Sequence, residues 1–580
     1  MSASAPGPEI PPAAPAGAGL GSAPSAGGPT LRSTILKGAG IILVVTVLAR
    51  IAGFLRNLVF GASVGAGDVG TAYASANQLP NVLFEVVAGG ALAAVVVPLV
   101  AGLVPGPEGR LAGEDRTEGE RRADRIVSAL MTWTILGMLP LVVVLILLAE
   151  PIARLLLSGG EGTEPMIVLG ADLLRIFAVQ LPMYAVAVIL GAYLQARRRF
   201  FWPALLPLLS SVIVMISYRL YALVVPGVAT ASTIGPAGTL LLGWGTTAGV
   251  LAMALPVVIV AHRAGLRLRP TLRMPSGTGR TALALAGSGL GAVGAQQLAL
   301  ALVLVLAMRA GGTGTLVVFQ YAYAVFMLPF AVLVVPLMTS TFPHLSEQRL
   351  TGDTWGFART ATSAVRLVAG VATGGAAVLV AAAPAIEEFF RLLDRANAQG
   401  VGATVAALGL GLGGYAVTMQ CTRVLSAAVR AKDALVVGSI GWVIAAALIV
   451  LFTLSSPTRR AAEASTSFGI AIAIGMLCAG LLGMSRISEL IEASGRQHAL
   501  RRVTVFAPLA LVGGAVPGYF VSSLLLHTGM SMLVVVLIGI LAGAVAGALA
   551  GGVLAAASPA SARRGLRLAR ARLRRLRRRG

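Results

Sequence analysis

Apolar runs long enough to cross a lipid bilayer recur along the whole chain, separated by short polar loops. A helix needs about 20 mostly apolar residues to span the hydrocarbon core. Runs of that kind fall near 36–60, 72–103, 126–149, 168–195, 202–223, 237–261, 281–308, 314–340, 363–383, 401–422, 434–455, 467–484, 504–526 and 530–557. They predict fourteen helical spans. Several are rich in glycine and alanine, as around Gly287, Gly289, Gly291 and Gly294. Small residues let helix backbones approach where lipid supplies no hydrophobic drive. Prolines within the runs (Pro140, Pro182, Pro207, Pro329 and Pro336) predict kinks, tolerated when neighbouring helices satisfy the freed backbone groups.

Composition agrees with that pattern. Hydrophobic residues make up 57% of the 580 and charged residues only 12%, about half the share usual in a soluble domain. No soluble domain of any size fits between the runs. The expected fold class is therefore an all-α polytopic membrane protein. Residues 1–30 hold Pro, Ala, Gly and Ser with one acid, Glu9, and are expected to be disordered because they cannot bury a core. The first apolar run, from Leu36, lacks a cleavage site after it and is expected to stay as a helix. Residues 31–400 and 401–557 then form one continuous membrane domain, followed by an Arg-rich tail over 558–580.

Net charge is +23, a value that can signal nucleic acid. Here the basic residues sit in short loops, which argues against a nucleic-acid partner. With the N-terminus inside, the inside loops hold Arg116, Arg121, Arg122 and Arg125, then Arg197, Arg198 and Arg199, then Arg263, Arg267, Arg269, Arg273 and Arg280, and later Arg430, Lys432, Arg486, Arg501 and Arg502. The outside loops hold only Arg154, Arg219, Arg309, Arg391, Arg395, Arg459 and Arg460. One miscounted span would invert every later loop, so this bias predicts an even number of spans and both termini in the cytoplasm. The tail RRGLRLARARLRRLRRRG carries ten arginines with interleaved leucines. It is expected to lie on anionic phospholipid, at about 1 kcal/mol per basic residue near the surface; partner docking is the alternative. Cys421 and Cys478 read as small packing residues.

Ionisable groups inside spans are costly and default to functional readings. The first span carries Arg50 and Arg56 with Asn57. An Arg at the bilayer centre costs about 2.5–3.5 kcal/mol on insertion scales. A water-filled cavity or an anionic ligand lowers that cost, and guanidinium binds phosphate in bidentate fashion. The competing readings are snorkelling and pairing with Glu85 on the second span, which lies near Asn81 and Asn77. Gln296 and Gln297 on the seventh span are either polar packing glue or substrate contacts. Asp172 and Arg175, one turn apart, read as an interfacial pair, and Arg366 as a snorkelling residue. The chain has no P-loop, no metal-ligand cluster and no nucleophile–His–acid set, so no cofactor is expected. Transport would draw on a gradient or a partner.

The stretch from Thr46 to Val100 resembles the N-terminal signature of the MurJ/MviN family of lipid II flippases. The matching residues are Ala49-Arg50, Gly53-Phe54, Arg56-Asn57, Gly65-Ala66-Gly67, Leu79-Pro80-Asn81, Gly90-Ala91 and Pro98. Further matches follow in order at Arg199-Phe200 to Pro203-Ala204 and Pro207, at Phe342-Pro343-His344-Leu345-Ser346, and at Arg423-Val424-Leu425 with Lys432-Asp433. The resemblance implies fourteen helices in two lobes around a central cationic cavity lined by helices one, two, seven and eight. It implies alternating-access movement of a polyprenyl-pyrophosphate-linked glycan, lipid II in the family, across the cytoplasmic membrane, with cell-wall synthesis proteins as possible partners. Carried over with it are Arg50, Arg56 and Arg423 as cavity cations. The chain departs from the family at four charges. Thr71 and Gly89 stand where acids are usual, and Phe84 and Ala324 where arginines are. Two other readings stay open: a divergent paralogue moving another polyprenyl-linked glycan, and a non-transporting scaffold in a cell-wall complex.

Overall fold

The computed structural model describes residues 31–86, 93–104, 117–159, 162–275, 278–456, 460–492, 495 and 497–557. The N-terminal segment and the Arg-rich tail lie outside the described residues, as does Gly89. Among the described residues the fold is all α, with no strand.

The elements run α1 (Leu31–Ser63), α2 (Asp68–Phe84), α3 (Ala93–Val100), α4 (Glu118–Leu147), α5 (Ala149–Leu157), α6 (Glu164–Ala178), α7 (Gln180–Ala196), α8 (Phe201–Val224) and α9 (Gly235–Arg263). They continue with α10 (Thr278–Gly311), α11 (Thr315–Pro329), α12 (Val335–Leu350), α13 (Thr354–Ala381), α14 (Ala383–Leu393) and α15 (Val401–Ala427). The last four are α16 (Ala431–Ser455), α17 (Ala461–Leu490), α18 (Gln497–Leu525) and α19 (Met532–Ala557). Local chemistry sets several starts. Thr117 and Glu120 cap α4 reciprocally: the Glu120 amide donates to Thr117 Oγ1 at 3.2 Å and the Thr117 amide to Glu120 Oε2 at 3.1 Å. The Asp353 carboxylate caps α13 through the Gly356 amide at 2.8 Å.

Thirteen helical segments among the described residues are long and apolar enough to cross a membrane. The predicted second span is the difference. Its described parts are two short pieces: α2 ends at Phe84, Glu85 and Val86 form a π-helical turn, and α3 begins at Ala93. The predicted eighth span is long enough to cross but carries a π turn over Phe330–Val334, directly after Pro329. A proline removes an intrahelical hydrogen bond, and π turns mark helices whose ladder has been re-registered.

Two halves repeat the same packing. In the first, α1 packs on α8, α8 on α9, α7 on α9, and α2 on α6. In the second, α10 packs on α16, α16 on α17, α15 on α17, and α11 on α15. The correspondence extends to single hydrogen bonds. After α7, the Arg198 amide donates to Gln195 O and the Arg199 amide to Leu194 O; after α15, Val429 donates to Ser426 O and Arg430 to Leu425 O. Arg198 and Val429 both take the left-handed conformation, at φ 60° and 61°. Helices α18 and α19 stand outside the repeat and pack on α13.

The core shows how the halves meet. One cluster, including Phe60, Tyr73, Phe177, Tyr321, Phe390 and Trp442, draws on both halves. At the end that carries Arg197–Arg199, Arg263 and Arg430, the halves have separate cores. One contains Val96, Val127, Leu190 and Val257, and the other Leu345, Val365, Val424 and Ile487. The hydrophobic core is thus shared by the halves at the arginine-poor end and split at the arginine-rich end, where α3 of the first half still packs on α10 of the second.

Candidate functional site

The junction at the arginine-poor end is built from backbone groups and one buried acid. Asp394, which follows α14, accepts hydrogen bonds on Oδ1 from the Ala66 amide (3.1 Å) and the Ala396 amide (2.9 Å), and on Oδ2 from the Tyr321 hydroxyl (2.8 Å). The next residue, Arg395, donates its amide to Gly61 O at 2.9 Å and its guanidinium to Ser63 O and Val225 O at 2.7 and 3.0 Å. Thr71 Oγ1 accepts from the Gly314 amide at 2.8 Å. The residue at the family's usual acid position therefore ties the two halves together. Two glycines make the approach possible. Gly65 has φ +83°, and a Cβ there would lie 2.8 Å from the Ala396 amide nitrogen; Gly314 has φ +87°, and a Cβ would lie 2.9 Å from Ala66 O. Burial pushes the Asp394 carboxyl above its ordinary range, against the lowering effect of its hydrogen-bond donors.

Deeper in the bundle lies a polar cluster between the halves. Val44, Leu48, Ile51 and Leu55 form an exposed apolar stripe along α1. A helix turns about 100° per residue, so Arg50, Gly53, Arg56 and Asn57 fall on the other side. A Cβ on Gly53 would meet nothing within 4 Å, which marks open space beside the two arginines. Arg50 interacts electrostatically with Glu85 and with Tyr415 on α15, in the second half. Arg56 interacts with Tyr184 on α7 and Tyr218 on α8, in the first. Neither arginine forms an ion pair among the described residues, so both guanidinium groups keep donors free, and the pairing of either one with Glu85 is not what the structure holds. Asn57 donates to Gly53 O at 3.2 Å, on its own helix.

Further polar groups of the cluster come from α2, α7, α10 and α11. The Tyr184 hydroxyl donates to Asn81 Oδ1 at 2.9 Å, and its ring stacks on Phe84 with centroids 4.4 Å apart and planes 29° apart. Gln180, one turn from Tyr184, donates to Thr247 Oγ1 at 2.9 Å. Gln320 donates to Gln78 Oε1 at 3.2 Å across the halves. Gln296 donates to the Tyr323 hydroxyl at 3.3 Å, whereas Gln297 is buried and turned about 100° away on α10. Glu85 is exposed at the π turn. The amide oxygen of Asn77 is buried with no hydrogen-bond partner among the described residues. Arg423 is half-buried on the α15 stripe that holds Tyr415 and Met419 at four-residue spacing, two turns nearer the arginine-rich end.

Of the candidates read from the sequence, Arg50, Arg56, Asn81, Glu85 and Gln296 thus meet in one region, while Asn57 and Gln297 bond or pack locally. Sequence reading missed Tyr184, Gln180, Gln320 and Tyr323. Their one signal was polar residues at helical spacing inside apolar runs, as with Gln180 and Tyr184. Asp172 and Arg175 form an ion pair at 2.6 Å. The cysteines are free, Cys421 buried and Cys478 exposed. A separate surface cleft between α18 and α19 is lined by Phe506, Leu509, Val553 and Ala556, with Arg502 as its one cation among the described residues.

Known proteins share this architecture. The family model described as lipid II flippase MurJ matches residues 60–539; the match begins just after Arg50 and Arg56. A probable lipid II flippase MurJ from Synechocystis sp. is 30% identical over 244 residues, which are 41% of this chain and 42% of that protein's length. The chain thus matches less than half the length of that relative. Among solved structures, the lipid II flippase MurJ in an inward closed conformation aligns with TM-score 0.64 and 19% identity, over 87% of this chain and 97% of that one. A multidrug resistance MATE family transporter of the MOP superfamily, inward-facing, aligns with TM-score 0.58 and 14% identity, over 79% and 99%. At these identities the structural likeness speaks to the fold.

Proposed function

This chain belongs to the lipid II flippase MurJ family, and from that premise we propose that it moves a polyprenyl-pyrophosphate-linked glycan across the cytoplasmic membrane by alternating access. The observation that carries the reading is the pair Arg50 and Arg56. They face away from the lipid stripe of α1, beside open space, with no carboxylate at ion-pair distance among the described residues and Glu85 acting on Arg50 only at longer range. Two unpaired guanidinium groups between two packed halves suit a pyrophosphate, which offers acceptor oxygens for bidentate donors. Arg423 stands at the entrance on the arginine-rich side. The two halves share a core at one end and keep separate cores at the other, an arrangement suited to rocking of the halves about a midplane site.

The arginine-rich end is the cytoplasmic end in this reading, because basic loops stay on that side. Both termini are then cytoplasmic. The tail rests on anionic phospholipid. The apolar cleft headed by Arg502 has the chemistry of a hydrocarbon chain's seat. A specific observation favours a second cargo within the same class. Phe84 and Ala324 put an aromatic ring and a methyl group where the family has cations, so another polyprenyl-linked glycan is the alternative to lipid II.

Complementation of a strain depleted of its own MurJ tests the proposal. The wild-type chain is expected to restore growth, and Arg56→Ala to abolish it at equal expression. Failure of a well-expressed wild-type chain would count against lipid II as cargo. Growth with Arg56→Ala would remove the arginine from the site.

A further inference from the structure

The two arginines explain retention of a pyrophosphate but not choice among lipids that carry one. We propose that the Phe84–Tyr184 stack, with the amides of Asn77 and Asn81, forms a subsite for the sugar attached to the pyrophosphate, and so selects glycosylated over bare pyrophosphate lipid. This rests on the flippase reading above.

Three observations converge on it. The stack joins the two helices, α2 and α7, that carry the amides and the hydroxyl of the cluster, and both residues are partly exposed. An aromatic face carries negative charge density and repels phosphate, whereas it packs well against the C–H face of a pyranose. Asn77 supplies the second argument. Its buried amide oxygen has no partner among the described residues, and an unpaired buried acceptor is costly, at about 1–3 kcal/mol. Phosphate oxygens only accept hydrogen bonds at neutral pH. The group that completes Asn77 is therefore a donor, and a sugar hydroxyl or an amide N–H supplies one where a phosphate does not. Asn81 lies one turn along α2 from Asn77, on the same face. The Tyr184 hydroxyl occupies Asn81 Oδ1, leaving the amide Nδ2 as a donor for a sugar oxygen.

Position gives the third. Arg56 interacts electrostatically with Tyr184, so the plate lies within electrostatic range of the guanidinium proposed for the pyrophosphate. The sugar bonded to that pyrophosphate would be the one within reach. Convergence of aromatic faces with a few aimed polar groups is the usual build of a small-molecule site.

The test uses the purified full chain in lipid nanodiscs with two probes, polyprenyl pyrophosphate and polyprenyl-pyrophosphate disaccharide, read by titration. The wild type is expected to bind the disaccharide lipid about tenfold more tightly. Phe84→Ala should erase most of that preference while leaving the bare lipid within about twofold, and Phe84→Tyr should keep it. Arg56→Ala should weaken both probes alike. Equal affinity of the wild type for the two probes overturns the subsite and leaves the flippase reading standing, as does a Phe84→Ala variant that retains the preference. If neither probe binds the wild type, the flippase reading falls and the subsite with it.

Discussion

Val429 is a β-branched residue at φ 61° in a turn that its counterpart in the first half, Arg198, also closes in the left-handed conformation. That conformation costs an L-residue roughly 1–2 kcal/mol, and branching at Cβ makes it worse. Val429 is 77% exposed, so its side chain recovers little by packing. Val429→Gly is expected to raise stability by about 1 kcal/mol, read as a higher midpoint of thermal unfolding in detergent; an unchanged or lower midpoint would show that the turn is not strained. The arginines of α1 were legible at this scale because a charge in an apolar run must be explained by some partner or cavity. Phe84 was not. An aromatic residue in an apolar run is unremarkable until Tyr184, brought from another helix, is found stacked on it.

Helix ends and breaks carried less information in the sequence than helix bodies. The predicted spans rest on runs of apolar residues, and length alone marks them. The π turns after Phe84 and Pro329 depend on how neighbouring helices hold the loosened ladder. Helix α15 shows a start that depends on another element. Its first amides, on Gly400 and Gly402, donate to the two Glu387 carboxylate oxygens on α14, at 2.6 and 2.7 Å. A carboxylate at a helix N-terminus satisfies orphan amides and complements the dipole. Glu387→Ala is expected to cost about 1–3 kcal/mol, and hydrogen exchange should rise first in the opening turn of α15. Uniform exchange across the helix would contradict the capping role. No short sequence pattern marks this cap, because donor and acceptor are separated by a loop whose path only the fold sets.

At the scale of the whole molecule the halves meet through Asp394, which faces the amides of Ala66 and Ala396, the Tyr321 hydroxyl and, beside it, Arg395. Burial holds its carboxyl above the ordinary aspartate range. Opening that junction would return it to water and lower it again. The joined state therefore binds the proton more tightly. Closure is favoured at low pH and weakens as pH rises through the raised value. Spin labels at two exposed loop positions, Val228→Cys after α8 in the first half and Gln399→Cys just before α15 in the second, with Cys478 replaced, should show a larger closed population at pH 5 than at pH 8. Asp394→Asn should flatten that dependence; an equal pH response in the variant would assign it elsewhere. The sequence by itself determined that this chain lies in a membrane, where its long apolar helices run, and where charge is anomalous. Those properties follow from transfer free energies, which add residue by residue along a run. Only the tertiary structure decided which side of α1 the arginines face, that neither pairs with Glu85, and that an aspartate far along the chain closes one end. Each of those outcomes is a matter of distance between helices, and distance between helices is fixed by packing across the whole bundle.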